Sequence, residues 1–326
     1  MVNWTSYLKS MLAPESEGLS ENEAFQLMAA ALDGGMPELE LGMMLATVHL
    51  RGPRAAELMG FLHAVQARVN QVALPPGTLR PVVLPAYGGG RELPNLTPLL
   101  ALLLARFGVP VLIHGTLEGV NRIATAYVLR ELGILPSTTP QAASVQLDQS
   151  HIAFLPIAAL APGLGTLHGL KNRLGLSGLT FLLAQLIEPF DGRGLRVVAV
   201  DRERDWPLVD RALVETPGDA LALDATEGEP FANLLRRPRI VRYTDAIPHI
   251  VFERERESLQ ALTNMPPHHD AVVTAHWIQQ ALDHEVPIPL PIVNQLACCL
   301  YAAGYTQDLN QAKAIVAVET GSLAAA

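Results

Sequence analysis

Between residues 81 and 107 an apolar run, Pro81-Val82-Val83-Leu84, breaks at Tyr87-Gly88-Gly89-Gly90-Arg91 and resumes as a helical pattern from Leu96. No other stretch restricts the fold as strongly. A buried strand that turns on glycines into a capped helix is a unit of a parallel α/β sheet. Such a turn leaves bare backbone N–H groups near the positive end of a helix, a common seat for phosphate. Asn95 stands where an N-cap belongs, and Thr97 adds a hydroxyl at the same end. Gly88, Gly89, Gly90, Arg91, Asn95 and Thr97 are therefore candidate anion-binding residues. A plain tight turn would use the same glycines.

The same alternation continues downstream. Short buried strands are expected over 82–84, 110–113, 152–157, 195–200 and 220–223, with helices over 95–107, 121–132, 160–174, 177–187 and 206–215. Residues 228–256, rich in arginine and interrupted by proline, are expected to include irregular structure, and the chain then returns to helices. Before residue 72 only helices are expected. Ser20-Glu21-Asn22-Glu23 is a capping box, Gly34-Gly35 ends its helix, Pro37 opens the next and Gly52-Pro53 precedes a fourth. Leu39, Met43, Ala46 and Leu50 fall on one helical stripe, expected to be buried. These helices suit a packing or dimer surface.

Pro75-Pro76-Gly77 marks a linker. The fold class is thus a discontinuous helical domain plus an α/β domain with a largely parallel central sheet. The helical domain covers 1–72, with 160–188 packing on it. The α/β domain covers 78–158 and 190–326. With 326 residues the chain is long enough for both, and at 5% aromatic residues its core must be mostly Leu, Ala and Val.

Net charge is −9, carried by 23 basic and 32 acidic residues, which disfavours a chain coated in positive charge. Its distribution is uneven. Residues 1–70, 191–256 and 257–326 are net negative, and only 71–190, which holds the glycine loop, is net positive. Cys298 and Cys299 are adjacent in an apolar helical stretch, a pattern of small buried side chains in a reducing compartment. No basic segment followed by an apolar run marks a signal, and no apolar run is long enough for a membrane span. A cytoplasmic setting is expected.

Four further clusters carry polar chemistry. His114-Gly115 ends the second strand, as a core histidine or as one facing the same sheet edge as the loop. Lys171-Asn172-Arg173 lies at a helix C-terminus, where the dipole alone favours cations; phosphate binding is the functional alternative. Arg236-Arg237-Pro238-Arg239, with Arg242, could meet nucleic-acid phosphates, but Glu227, Glu229 and Asp245 flank the cluster, and a solvated face is its default reading. His268-His269-Asp270 lacks further ligands at metal spacing, so no metal is expected there. There is no nucleophile elbow and no Walker loop.

The order of these features resembles the anthranilate phosphoribosyltransferases, which share a fold with nucleoside phosphorylases. Within that group it is similar to a divergent YbiB-type DNA-binding branch. The resemblance rests on Pro37-Glu38-Leu39-Glu40-Leu41-Gly42, Asn95-Leu96-Thr97-Pro98, the run from Val111 to Gly115, Arg173-Leu174-Gly175 and Thr226-Glu227-Gly228-Glu229. It implies a nucleoside phosphorylase/phosphoribosyltransferase-like fold. The enzymes' loop reads Gly-Thr-Gly-Gly-Asp, and the matching residues here are Ala86, Tyr87, Gly88, Gly89 and Gly90. Ile113 replaces the enzymes' lysine, Thr116-Leu117 their Asn-Arg, and Ser177 a substrate-contacting arginine. The adjacent acidic pair that holds magnesium is matched only by Glu227 and Glu229, split by Gly228.

With those groups gone, anthranilate transfer is not expected. The resemblance implies a homodimer through the N-terminal helices that binds DNA non-specifically. Phosphate contacts would come from Arg91, Lys171, Asn172 and Arg173, with Gly88–Gly90, Asn95, Thr97, His114 and Gly115 as the anion site. No cofactor is then needed. The alternative is a transferase using phosphoribosyl pyrophosphate with an unknown acceptor, and only that reading calls for magnesium.

Overall fold

Local signals near the N-terminus act as expected. Ser20 accepts from the N–H of Glu23, the Glu23 carboxylate accepts from the N–H of Ser20, and the helix Glu21–Leu32 follows. The computed structural model describes residues 4–13, 17–176, 178–255, 265–266 and 270–321. Ser177, the His268-His269 pair and the tail over 322–326 lie outside the described residues.

The chain divides into two units, Met1–Asn70 with Ile157–Pro189, and Gln71–Pro156 with Phe190–Ala326. The first is helical. Trp4–Leu12, Glu21–Leu32, Glu38–Arg51 and Ala55–Gln66 come from its first part. The expected pair over 160–174 and 177–187 is instead four short helices, Ile157–Leu160, Pro162–Gly169, Lys171–Leu174 and Gly178–Gln185. Ala24, Leu27, Met28, Phe61, Leu62 and Val65 are buried between the second and fourth helices.

The stripe Leu39, Met43, Ala46 and Leu50 is not the buried face of its helix. Leu39 is 81% and Leu50 84% exposed, and Met44, Leu45, Thr47 and Val48 point inward instead. This helix carries two apolar stripes. Periodicity identifies residues that share a face, and packing decides which face meets a neighbour.

The second unit holds one seven-stranded sheet. Its strands are β1 (Val82–Ala86), β2 (Val111–Gly115), β3 (Ile152–Pro156), β4 (Leu195–Val200), β5 (Asp219–Asp224), β6 (Ile240–Thr244) and β7 (Ile247–Phe252), in the order β3-β2-β1-β4-β5-β6-β7. The first five in that order are parallel, with Leu84 opposite Ile113 and Val198 opposite Ala222. All five are buried along nearly their whole length, as parallel strands covered on both faces must be. The helices Thr97–Arg106 and Leu290–Ala302 supply much of the core against them, and Cys298 and Cys299 are buried within it.

Residues 228–239 are irregular, as expected, and the hairpin β6–β7 is an addition to that segment. Asp245 and Ala246 both take positive φ, as a two-residue hairpin turn requires, without the Asn-Gly signature that would announce it. Pro248 is tolerated because β7 is an edge strand. The helix Pro140–Ser150, capped by the Thr139 hydroxyl, is an addition that its polar composition concealed. No helix among the described residues is long and apolar enough to cross a membrane.

In the parallel set the strand order runs outward from β1 in one direction and from β4 in the other. The loops beyond the carboxyl ends of β1 and β4 therefore diverge and leave a crevice, the usual place for a ligand in an open sheet. The glycine loop follows β1.

Candidate functional site

The backbone of the glycine loop binds anions, and both belong to this chain. The Glu227 carboxylate accepts from three successive N–H groups: Arg91 at 2.7 Å, Glu92 at 2.9 Å and Leu93 at 3.3 Å. The Glu229 carboxylate accepts from the Gly89 N–H at 2.7 Å and from the hydroxyls of Thr97 at 2.7 Å and Thr125 at 2.9 Å. Glu229 is fully buried, and burial pushes its carboxyl above the usual range against the pull of these donors and of the Gly88 backbone.

Both carboxylates stand on one tight turn. Thr226 and Glu229 exchange backbone hydrogen bonds at 3.2 and 2.9 Å, with Glu227 and Gly228 at φ of 55° and 86°. Gln295, from the helix Leu290–Ala302, braces the next residues by donating to the Pro230 carbonyl and accepting from the Ala232 N–H. Arg122 spans loop and turn, donating to the Gly88 and Glu227 carbonyls at 3.0 and 3.2 Å. Gly88 is glycine because the turn touches it. A Cβ there would lie 2.3 Å from the Glu227 carbonyl oxygen. Gly90 pairs with Ile123 through two backbone bonds, which delays the expected helix over 121–132 until Thr125.

Asn95 is not the helix cap. The helix Thr97–Arg106 is preceded by Leu96, and Asn95 is buried. Its amide donates to the Ile123 carbonyl and the Thr125 hydroxyl, and its oxygen accepts from the Thr97 N–H. Asn95 therefore positions Thr97 and Thr125 around Glu229. Sequence reading missed Thr125 and Arg122, which carry no local motif.

His114 is buried in β2, with Nδ1 2.7 Å from the Tyr87 hydroxyl and the two rings edge to face. Burial lowers its pKa to about 3, so it is neutral at physiological pH. Its Nε2 has no hydrogen-bond partner among the described residues. Gly115 allows close contact with β1, since a Cβ there would lie 2.0 Å from the Ala86 carbonyl oxygen.

Arg91 is exposed. Lys171, Asn172 and Arg173 belong to the helical unit, in the short helix Lys171–Leu174. Lys171 Nζ lies 2.8 Å from Nε2 of the buried His168, whose Nδ1 meets the Thr180 hydroxyl. Burial and the neighbouring ammonium lower the His168 pKa to about 3, so the ring is neutral and Nε2 accepts a hydrogen bond from the lysine ammonium. Arg173 is exposed.

The arginine-rich segment is mostly engaged within the fold rather than spread over a solvated face. Arg239 stacks on Trp206 at 4.5 Å, Arg242 on Tyr301 at 4.4 Å and Arg237 on Phe252 at 5.1 Å. Beyond β4 and β5 a cavity of ≈ 250 Å³ is lined by Asp201, Glu203, Asp224, Asn233, Arg236 and Arg254. There Arg254 pairs with both Asp224 and Glu203. Burial alone would raise the Asp224 carboxyl, and Arg254 holds it below its ordinary value.

The two glutamates do not fit a divalent cation as they stand, because hydrogen-bond donors face their oxygens. Among the described residues no three His, Cys, Asp or Glu side chains group to hold a metal.

Residues 6–69 match the helical bundle domain model of a glycosyl transferase family. The chain is 33% identical over 299 residues to the uncharacterized protein YbiB of Escherichia coli (strain K12), covering 91% of this chain and 93% of that one. It is 32% identical over 209 residues to the anthranilate phosphoribosyltransferase of Desulforudis audaxviator (strain MP104C), covering 63% of this chain and 57% of the enzyme. The anthranilate phosphoribosyltransferase of Thermus thermophilus shares the fold, with a TM-score of 0.75 at 22% identity over 98% of this chain and 94% of that one. The Saccharomyces cerevisiae enzyme, solved in complex with PRPP and Mg, reaches 0.71 at 13% identity, covering 98% of this chain and 93% of that one.

Proposed function

We propose a function from the premise that this chain belongs to the anthranilate phosphoribosyltransferase-like family: it lacks transfer to anthranilate and binds nucleic acid non-specifically as a cytoplasmic homodimer. The observation that carries this reading is the occupancy of the glycine loop. Donors that would have to neutralise a pyrophosphate leaving group are committed to Glu227 and Glu229. Phosphoribosyl transfer breaks the bond between the sugar carbon and the pyrophosphate oxygen, and it needs those donors free to stabilise the charge that develops on the leaving group. Tyr87, Gly90 and Ile113 at positions where the enzymes of the resemblance carry Thr, Asp and Lys point the same way.

The contacts to nucleic acid are assigned to Arg91, Lys171, Asn172 and Arg173, polar groups that meet phosphate without reading bases. The dimer is assigned to the N-terminal helices, where Leu39, Met43 and Leu50 are exposed on one face. Anisotropy of labelled single- and double-stranded oligonucleotides against salt tests the reading. Binding should be insensitive to sequence and weaken steeply as salt rises. Absent or salt-independent binding sinks it.

The family's chemistry with another acceptor is favoured by the identity to anthranilate phosphoribosyltransferases. It requires phosphoribosyl pyrophosphate with magnesium to raise the melting temperature. No shift at saturating donor leaves the binder reading standing alone.

A further inference from the structure

We propose that the turn at residues 226–229 is a built-in anion that closes the glycine loop, and that Glu227 is its removable part. The inference rests on the non-catalytic reading above and adds a cause to it: the loop keeps its capacity for phosphate and is held shut from within.

Three observations converge on Glu227. First, its carboxylate collects three consecutive N–H donors, from Arg91, Glu92 and Leu93. A concave run of backbone N–H groups of this kind accepts a phosphate oxygen as readily as a carboxylate. Second, Glu227 sits at φ 55°, where a non-glycine residue is disfavoured and Gly, Asn or Asp is usual. What glutamate adds over glycine at this position is the carboxylate that accepts the three N–H groups. Third, the surrounding fold is shaped to receive the turn. Gly88 has no Cβ where the Glu227 carbonyl arrives, and Arg122 holds the Gly88 and Glu227 carbonyls together.

The two glutamates differ in how they can be displaced. Glu229 is fully buried beneath the loop, with Thr97 and Thr125 on it. Glu227 is only partly buried, and the side chains of Arg91 and Glu92 beside it are 57% and 77% exposed. An external anion approaching the loop therefore meets Glu227 first. Being tethered, the carboxylate competes at an effective concentration in the millimolar range or above, which excludes a weakly binding free phosphate.

Calorimetric titration with inorganic pyrophosphate tests this on the full chain, comparing wild type with Glu227→Gly and Glu227→Gln. Glycine relieves the positive φ and removes the side chain, so that variant should fold and melt near the wild type. The glutamine variant keeps the side-chain length without the charge and guards against a purely backbone effect. The wild type should show weak or no binding at millimolar pyrophosphate. Glu227→Gly should bind at least about tenfold more tightly, with Glu227→Gln between them. Folded variants with wild-type affinity overturn the closure, and so does a wild type that already binds as tightly as Glu227→Gly. The nucleic-acid reading is judged separately, by salt-dependent oligonucleotide binding of the wild type. Its failure leaves the pyrophosphate comparison intact, and the reverse also holds.

Discussion

Glu229 concentrates the chemistry of the site in one carboxyl group. It is fully buried, faced by the Gly88 and Gly89 backbone and two hydroxyl donors, and its carboxyl lies above its ordinary value of 4.5 because burial penalises the charge. A carboxyl raised in the folded state contributes stability that is complete below its unfolded pKa and is lost as pH rises through the folded one. Melting curves from pH 4 upward should therefore show the wild type losing stability relative to Glu229→Gln above about pH 4.5, then levelling off. A difference that stays flat with pH refutes an ionising Glu229. Glutamine can still accept from Gly89 and pair with the threonine hydroxyls, whereas Glu229→Ala strands them, at roughly 1–3 kcal/mol for each group left unpaired. Gly88→Ala should cost about 1–3 kcal/mol by overpacking, because its Cβ meets backbone that cannot rotate away. Denaturant unfolding measures it, and a neutral result would mean that the turn does not seat against Gly88. The glycines, Asn95, Thr97 and both glutamates are each visible in the sequence. Their pairing is not, since Gly89 and Glu229 are 140 residues apart.

Among the elements, the helix Glu38–Arg51 shows how far a pattern can be read. Its apolar stripe at Leu39, Met43 and Leu50 is plain in the sequence, yet packing selects the opposite stripe, Met44, Leu45 and Val48, for the core. Exposed leucines on one face are the surface the proposed dimer would cover. Leu39→Glu with Leu50→Glu should shift sedimentation from dimer to monomer while leaving thermal stability of the monomer within about 0.5 kcal/mol, as surface changes usually do. A wild type that sediments as a monomer removes the dimer from the reading. The strands β1 to β5 were legible because buried parallel strands are short apolar runs between turn residues. The hairpin β6–β7 was not, because Arg242 within β6 and Arg237 and Arg239 just before it read as solvated and instead find aromatic partners. Trp206, Tyr301 and Phe252 cover guanidinium groups that composition alone assigns to solvent.

For the whole molecule, a net charge of −9 bears directly on nucleic-acid binding. Exposed charges more than about 10 Å apart are screened at 0.1 M salt, so individual exposed cations can meet phosphate despite the net repulsion. With Arg91, Lys171 and Arg173 as contacts, the logarithmic salt slope should be about −3 per protomer on duplex DNA and about twice that for a dimer using both copies. By itself the sequence determined the helical start, the strand–helix alternation and the presence of an anion-binding backbone, because these depend on periodicity, capping and glycine over a few residues. Only the tertiary structure decided which helix face is left open and which anion the loop holds. Those outcomes depend on packing between distant segments, and the N–H donors of residues 91–93 meet the Glu227 carboxylate across 134 to 136 positions of chain. No local pattern records a contact of that range.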